Sequence, residues 1–94
     1  MTYKPKPIDS SLVVLSKEVL DLTEILAENV HEIWSQQRLN DGWKYGPRRN
    51  DARREHPCLI PYSELPESEK TYDRNTAMET LKAIIAFGYQ IKKL

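Results

Sequence analysis

Apolar side chains recur at steps of three and four residues in the first half of the chain, which is the spacing of one face of an α-helix. The residues in this pattern are Val19, Leu22, Leu26, Val30 and Ile33. Acidic residues fall largely on the other faces, at Glu18, Asp21, Glu24, Glu28 and Glu32. The pattern predicts an amphipathic helix that Ser16 caps and that ends at Asp41 and Gly42, because glycine readily adopts the left-handed backbone of a helix C-terminus.

A second apolar face predicts another helix near the C-terminus. It consists of Met78, Leu81, Ile84 and Ile85, and it extends up to Gly88. Asp73, Asn75 or Thr76 is predicted to cap this helix, since Thr76 and Glu79 have the spacing of a capping box.

The chain between the two helices is rich in residues that interrupt regular structure. Residues 42–66 contain two glycines and four prolines, which predicts an irregular segment with short extended pieces. Residues 58–62 (CLIPY) are predicted to form at most a short edge strand, because the residue before a proline is pushed toward extended geometry. Pro66 suits the first turn of a helical segment, with Glu67 and Glu69 near the positive end of the helix dipole. Residues 89–91 alternate in polarity and predict a final strand.

Together these elements predict a mainly α-helical fold with short β-strands, in which two packed helices are joined by the proline- and glycine-rich segment. Pro5 and Pro7 predict an extended N-terminal arm over residues 1–10, and residues 11–94 are predicted to form one domain. A chain of 94 residues has a small core, so self-association would add buried area.

Overall charge does not direct the chain toward a polyanion. Lys plus Arg and Asp plus Glu both number 14, so binding to nucleic acid or to an anionic membrane is not expected. Cys58 is the only cysteine, which excludes an internal disulfide and a cysteine-rich zinc site. Neither a signal peptide nor a membrane-spanning stretch is evident, and the expected location is the cytoplasm.

Two local features suggest a binding site for a flat anion. Residues 44–54 contain five basic residues against one acidic residue, a local charge of +4. On the first helix, a stripe spaced by four, three and four residues consists of Ala27, His31, Trp34 and Arg38. Aromatic faces hold base rings by stacking, and arginine binds phosphate through paired hydrogen bonds. In the alternative interpretation, the tryptophans anchor the core and the basic loop balances acidic residues within the chain.

Catalysis and metal binding have little support in the sequence. His31 and His56 lack ligand-spaced partners, so no metal site and no cofactor are expected. Cys58 lies in an apolar run and is interpreted as a packing thiol, although a histidine could formally activate it. The sequence therefore predicts a protein that is not an enzyme.

Five motifs follow one another in order along the chain. They are Asn29-x-His31-x-x-Trp34, Gly42-Trp43-x-Tyr45-Gly46-x-x-Arg49-x-Asp51, His56-Pro57-Cys58-Leu59, Leu65-Pro66-x-x-Glu69-x-x-Tyr72-Asp73 and Glu79-Thr80-Leu81-Lys82. This set resembles the RyR domain, which occurs as tandem repeats in ryanodine receptors and as single copies in many bacterial proteins. The resemblance covers about residues 3–91.

The resemblance implies a non-catalytic, mostly helical module with a few short strands. Because receptor repeats pack in pairs about a pseudo-twofold axis, a free-standing copy is expected to form a homodimer. Light scattering that returned 11.0 kDa at every concentration would contradict this expectation. Calcium-release activity is not implied, since the sequence contains neither a second repeat nor a channel.

The resemblance also implies a nucleotide-like ligand, because such ligands have been associated with the cleft of the receptor repeat pair. Carried over by motif, Trp34 would stack on the ligand, and Tyr45, Arg49 and His56 would be polar or cationic partners. The full set of candidate ligand-binding residues adds Arg38 and Arg48. The residues expected to hold the fold are His31, Gly42, Trp43, Gly46 and Pro57.

The favoured function is a module that binds a small ligand and senses a nucleotide-derived signal. The alternative is a protein-interaction or assembly module with no small-molecule ligand, whose basic loop meets an acidic partner surface.

Overall fold

Two long helices and a small parallel sheet make up the fold in the computed structural model, which describes residues 2–94. The helices are α1 (Lys17–Leu20), α2 (Thr23–Asn40) and α3 (Glu67–Ala86). The strands are β1 (Lys44–Tyr45) and β2 (Glu55–His56), and a 3₁₀ turn spans Tyr62–Glu64. The prediction of a mainly α-helical fold with short strands is confirmed. None of the helices in residues 2–94 is both long and apolar enough to cross a membrane.

The first predicted helix begins and ends where the sequence indicates, but it is interrupted. The Ser16 hydroxyl accepts a hydrogen bond from the backbone N–H of Val19 at 3.3 Å, which confirms the cap. At the other end, Asp41 is the C-cap and Gly42 has a φ of +87°, as predicted. Between them, the N–H of Leu22 bonds to the carbonyl of Val19 three residues back. This tightened turn separates α1 from α2, so the prediction of one continuous helix is wrong.

The predicted apolar face is buried only in part, since Val19 is buried and Leu26 and Val30 are half-buried, but the other two positions are exposed. Leu22 and Ile33 are 42% and 47% exposed, whereas Ala27 is 0% and His31 only 4% exposed. Ala27 is small, and the larger apolar side chains that cover it come from the proline-rich segment and include Tyr62 and Leu65. The stripe that was interpreted as a ligand platform therefore begins inside the core and reaches the surface only toward Arg38.

Helix α3 begins earlier than its predicted caps. It starts at Glu67, directly after Pro66, and the N–H groups of Glu69 and Lys70 bond to the Pro66 carbonyl. The predicted caps Asp73, Asn75 and Thr76 are wrong, because all three lie inside the helix. Proline fixes the backbone angle at the helix start, and the acidic first turn complements the helix dipole, so the earlier start prevails.

The two strand predictions, for residues 58–62 and 89–91, correspond to no strand in residues 2–94. Residues 58–62 form turns that lead into the 3₁₀ helix, because Pro57 and Pro61 cannot donate ladder hydrogen bonds, and residues 89–91 form no strand. The sheet instead pairs β1 with β2 in parallel, with Lys44 opposite Glu55 and Tyr45 opposite His56.

A charged cluster joins the N-terminal turn of α2 to α3. The guanidinium of Arg74 donates to both oxygens of Glu24, at 2.7 and 3.1 Å, and to Glu67 at 3.0 Å. The buried Tyr62 donates its hydroxyl to Glu24 at 2.9 Å. Hydrogen bonds from Arg74 and then Tyr62 lower the pKa of Glu24. This cluster links the start of α2 to the first turns of α3.

Candidate functional site

A cleft of about 240 Å³ lies where α2, the β1–β2 segment and α3 meet. Three elements contribute to it in different ways: α2 supplies a stripe of side chains, the loop after β1 and strand β2 supply cationic and imidazole groups, and α3 supplies carboxylates. The lining residues are His31, Trp34, Arg38, Arg49, His56, Cys58, Leu65, Glu69 and Asp73. Four of the six candidate ligand-binding residues are therefore brought together in one cavity.

The Arg38 guanidinium lies between two indole rings. Its central carbon is 5.5 Å from the ring centre of Trp34 and 4.6 Å from that of Trp43. Guanidinium groups stack favourably on aromatic rings, and the backbone N–H of Trp43 also donates a hydrogen bond to the backbone carbonyl of Arg38 at 2.9 Å. Among residues 2–94, Arg38 forms no ion pair with a carboxylate. The result is an oriented positive charge whose hydrogen-bond donors are not taken by an acidic side chain.

Arg49 provides a second guanidinium that is already partly engaged. Its Nε donates to Asp51 at 2.9 Å and one terminal nitrogen donates to the other carboxylate oxygen at 3.4 Å. This pairing lowers the pKa of Asp51. Arginine has five N–H donors, so the pair holds Arg49 at the mouth of the cleft and still leaves donors for an anion.

His56 is held as a neutral ring. Its Nδ1 accepts a hydrogen bond from the backbone N–H of Cys58 at 3.0 Å, so the ring proton is on Nε2. The ring packs edge-on against Trp34, with centres 4.9 Å apart and planes inclined by 75°. Burial, followed by the positive charges of Arg49 and Arg38, lowers the pKa of His56. A bound anion between His56 and the two arginines would raise the pKa of His56, because its negative charge opposes theirs.

We expect the stability of the unliganded protein to fall between pH 7.5 and 5, and to fall less in His56→Gln. The folded pKa of His56 is below its ordinary value of about 6.5, so the unfolded chain binds the proton first and acid favours unfolding. Urea unfolding at several pH values in this range measures the free energy of unfolding. Most carboxylates titrate at lower pH, so they contribute little to the change. If the free energy of unfolding had the same pH dependence in the two proteins, the lowered pKa of His56 would be contradicted.

His31 and Trp34 form the floor of the cleft. The buried His31 donates from Nε2 to the carbonyl of Ile60 at 2.7 Å, which ties α2 to the proline-rich segment. Its ring stacks on Trp34 with centres 5.7 Å apart and planes inclined by 24°. His31 therefore orients the indole from the core side, while the half-buried Trp34 also borders the cavity.

The wall contributed by α3 is acidic and was missed by the sequence interpretation. Glu69 and Asp73 are one helical turn apart, and both border the cavity. Burial first, and then Glu69, raise the pKa of Asp73. The signal was present, because both residues belong to one quoted motif and have the spacing of a shared helix face. That spacing does not show what the shared face meets, because the answer depends on where α3 packs against α2.

Two candidate residues lie outside the cleft. Tyr45 is 57% exposed and Arg48 is also exposed, and neither borders the cavity. Strand β1 directs this part of the loop toward solvent. Gly46, in contrast, is buried at the point where β1 approaches β2, and a β-carbon there would lie 2.5 Å from that of Glu55.

Histidine, cysteine and carboxylate side chains share the cleft, but their arrangement does not suit a metal ion. Across the described part of the chain, no group of three or more such residues has a geometry that could hold one. Burial, and then the nearby Glu69 and Asp73, raise the pKa of Cys58, so its thiol is held in the protonated form.

Comparison of the sequence with models of protein families identifies the same family as the five motifs. The model of the RyR domain matches residues 3–93, which is nearly the whole sequence. The match includes every element from α1 to α3 and all residues that line the cleft. The chain therefore belongs to the RyR domain family.

Proposed function

We propose that this protein is a non-catalytic module that binds a small ligand with a flat ring and an anionic group, such as a nucleotide or a nucleotide-derived signal. The observation that carries the proposal is the Arg38 guanidinium, which is oriented by two indoles, faces the cleft and has no carboxylate partner in residues 2–94. A positioned guanidinium without a direct carboxylate partner has hydrogen-bond donors available for an anion from outside.

The neighbouring groups fit such a ligand. Arginine forks bind phosphate through charge-assisted hydrogen bonds, and Arg49 lines the same cavity as Arg38. Trp34 offers the ligand ring an aromatic surface, and stacking of this kind contributes about 1–3 kcal/mol per base. The Nε2–H of His56 is a further donor. The cavity is slightly smaller than the range of about 300–1,000 Å³ typical of small-molecule pockets, so a single nucleotide unit is the expected size.

The chemistry of Cys58 supports a binding role over catalysis. A nucleophilic cysteine requires a thiolate, which a nearby positive charge or a general base stabilises. Burial and two nearby carboxylates instead raise the pKa of Cys58 and so favour the protonated thiol. The nearest imidazole, His56, accepts a hydrogen bond from the backbone N–H of Cys58. The thiol is therefore interpreted as part of the cavity wall.

Intrinsic fluorescence tests this function directly, because the only two tryptophans are the two that flank Arg38. Titration with AMP is expected to give a saturable change in emission, and inorganic phosphate a weaker one. In Trp43→Phe the change should persist, since Trp34 borders the cavity. Free N-acetyltryptophanamide is the control for light absorption by the nucleotide. No saturable change at millimolar AMP would contradict the proposal.

A second measurement separates binding from a local optical effect. A ligand that binds only the folded state raises its stability by about 2.7 kcal/mol at a hundredfold excess over the dissociation constant. Thermal unfolding in the presence of AMP should therefore shift upward over the concentration range in which the fluorescence changes.

The exposure of Tyr45 and Arg48 favours a second candidate function, a protein-interaction module that docks an acidic partner surface. Both residues lie outside the cleft, so this surface is free for a partner whether or not the cavity is occupied. If the protein is such a module and binds no small molecule, AMP should cause no saturable change in fluorescence and no upward shift in thermal unfolding.

A further inference from the structure

The cleft has walls of opposite charge. Arg38 and Arg49 border it on the side of α2 and the β1–β2 loop, and Glu69 and Asp73 border it from α3. In residues 2–94, neither of these carboxylates forms an ion pair or a side-chain hydrogen bond. The two charged walls therefore face one cavity without neutralising each other.

Other carboxylates of the same region are paired. Glu67, on the first turn of α3, bonds to Arg74 at 3.0 Å and lies 3.6 Å from Lys70. Glu24 bonds to the same arginine and to a tyrosine hydroxyl. Glu69 and Asp73 are less exposed than these two and yet have no partner, and burial of Asp73 is costly enough to raise its pKa. A carboxylate that lines a cleft and whose pKa is shifted by burial is a candidate for a functional group.

The chemistry of the two walls limits what they can bind together. Ionised carboxylates only accept hydrogen bonds, so the ligand must present donors to α3. An ammonium group would be repelled by the two arginines of the opposite wall, and the cavity has no geometry for a metal ion. Neutral hydroxyl groups meet neither obstacle. A carboxylate that accepts from a ribose hydroxyl is also a recurrent device in nucleotide-binding proteins.

We infer that Glu69 and Asp73 form a second part of the site, which accepts hydrogen bonds from the vicinal hydroxyl groups of the same ligand whose anionic group binds Arg38. The inference rests on the proposed function and narrows its ligand class to phosphates that carry a ribose with free 2′ and 3′ hydroxyls. The spacing of the two carboxylates along one face of α3 suits neighbouring hydroxyls, since side chains four residues apart on a helix are adjacent.

The test compares AMP with 2′,3′-dideoxy-AMP by calorimetry on the whole chain. AMP is expected to bind roughly tenfold to a hundredfold more tightly, which is the range for loss of hydrogen bonds to charged acceptors. Asp73→Asn and Glu69→Gln should each reduce this preference, while the affinity for the dideoxy compound should stay the same or increase, because each substitution removes a negative charge from the cavity that holds the phosphate. Glu64→Gln removes an exposed carboxylate outside the cleft and should change neither affinity.

The outcomes are distinguishable. Equal affinities for AMP and dideoxy-AMP would overturn the inference and leave the proposed function intact. A variant that weakens both compounds equally would also overturn it, because that result indicates a structural role for the carboxylates. Absence of binding by either compound would overturn both the inference and the proposed function. Circular dichroism of Asp73→Asn confirms folding, and its melting temperature should not fall, since the substitution removes a half-buried charge.

Discussion

Replacement of Arg38 by Met is expected to weaken the binding of AMP by roughly tenfold to a hundredfold. Hydrogen bonds to charged groups contribute about 1.5–3 kcal/mol each, and 1.4 kcal/mol corresponds to a factor of ten in affinity. Methionine keeps a flexible apolar chain between Trp34 and Trp43, so the packing at this position is largely retained. Calorimetric titration of the folded variant measures the loss. Arg38→Lys, which keeps the charge but not the planar fork, should recover only part of the affinity.

Arg48→Met is the matched control for this experiment. It also removes one arginine charge, but Arg48 lies in the basic loop after β1, is exposed and does not border the cleft. Its effect on AMP affinity is expected to be less than about twofold at physiological ionic strength, where charges more than about 8 Å apart are largely screened. Equal losses in the two variants would show that the cleft does not position the anion.

Substitution of Gly46 by Ala is expected to destabilise the fold by about 1–3 kcal/mol, the typical cost of adding a methyl group to a tightly packed site. The new β-carbon would lie 2.5 Å from the β-carbon of Glu55 and 3.1 Å from the next two carbons of that side chain. Both β-carbons are fixed to the backbone, so β1 and β2 must separate. A domain of this size should lose roughly 4–8 °C in melting temperature per kcal/mol.

A double-mutant cycle isolates this contact from general effects of the substitution. Glu55→Gly removes the opposing β-carbon, so the combined variant Gly46→Ala with Glu55→Gly should be more stable than the sum of the two single changes predicts. Strict additivity would contradict the close approach. Because β2 carries His56, Gly46→Ala should also weaken AMP binding, whereas Gly88→Ala should not. Gly88 has a φ of +94° but no side chain or backbone atom within 4 Å of an added β-carbon.

The parts of the fold that could be predicted from the sequence depend on local interactions. The Ser16 cap and the left-handed Gly42 follow from residues within one helical turn. The burial of Ala27 does not follow from neighbouring residues, because the periodicity of large apolar residues predicts that Leu22 and Ile33 are buried instead. The choice of face depends on Tyr62 and other distant residues that need a small partner, and no local pattern contains that information.

In the site, too, local features could be predicted and features that depend on distant residues could not. Trp34 and Arg38 were predicted together because spacing along α2 places them on one surface. Tyr45 was included because of the motif and Arg48 because of the basic loop, but the direction of β1 takes both away from the cleft. The acidic wall was missed because it depends on where α3 packs against α2.

The most direct test of the central claim is a titration of the isotopically labelled protein with AMP, followed by proton–nitrogen NMR spectra. Binding in the cleft predicts saturable shifts of the Trp34 indole N–H and of the backbone amides of Cys58, Glu69 and Asp73, because these residues line or adjoin the cavity. The amides of Tyr45 and Arg48 should move less. Shifts confined to Tyr45 and Arg48, or no shifts at millimolar AMP, would contradict the assignment of this cleft as a ligand site.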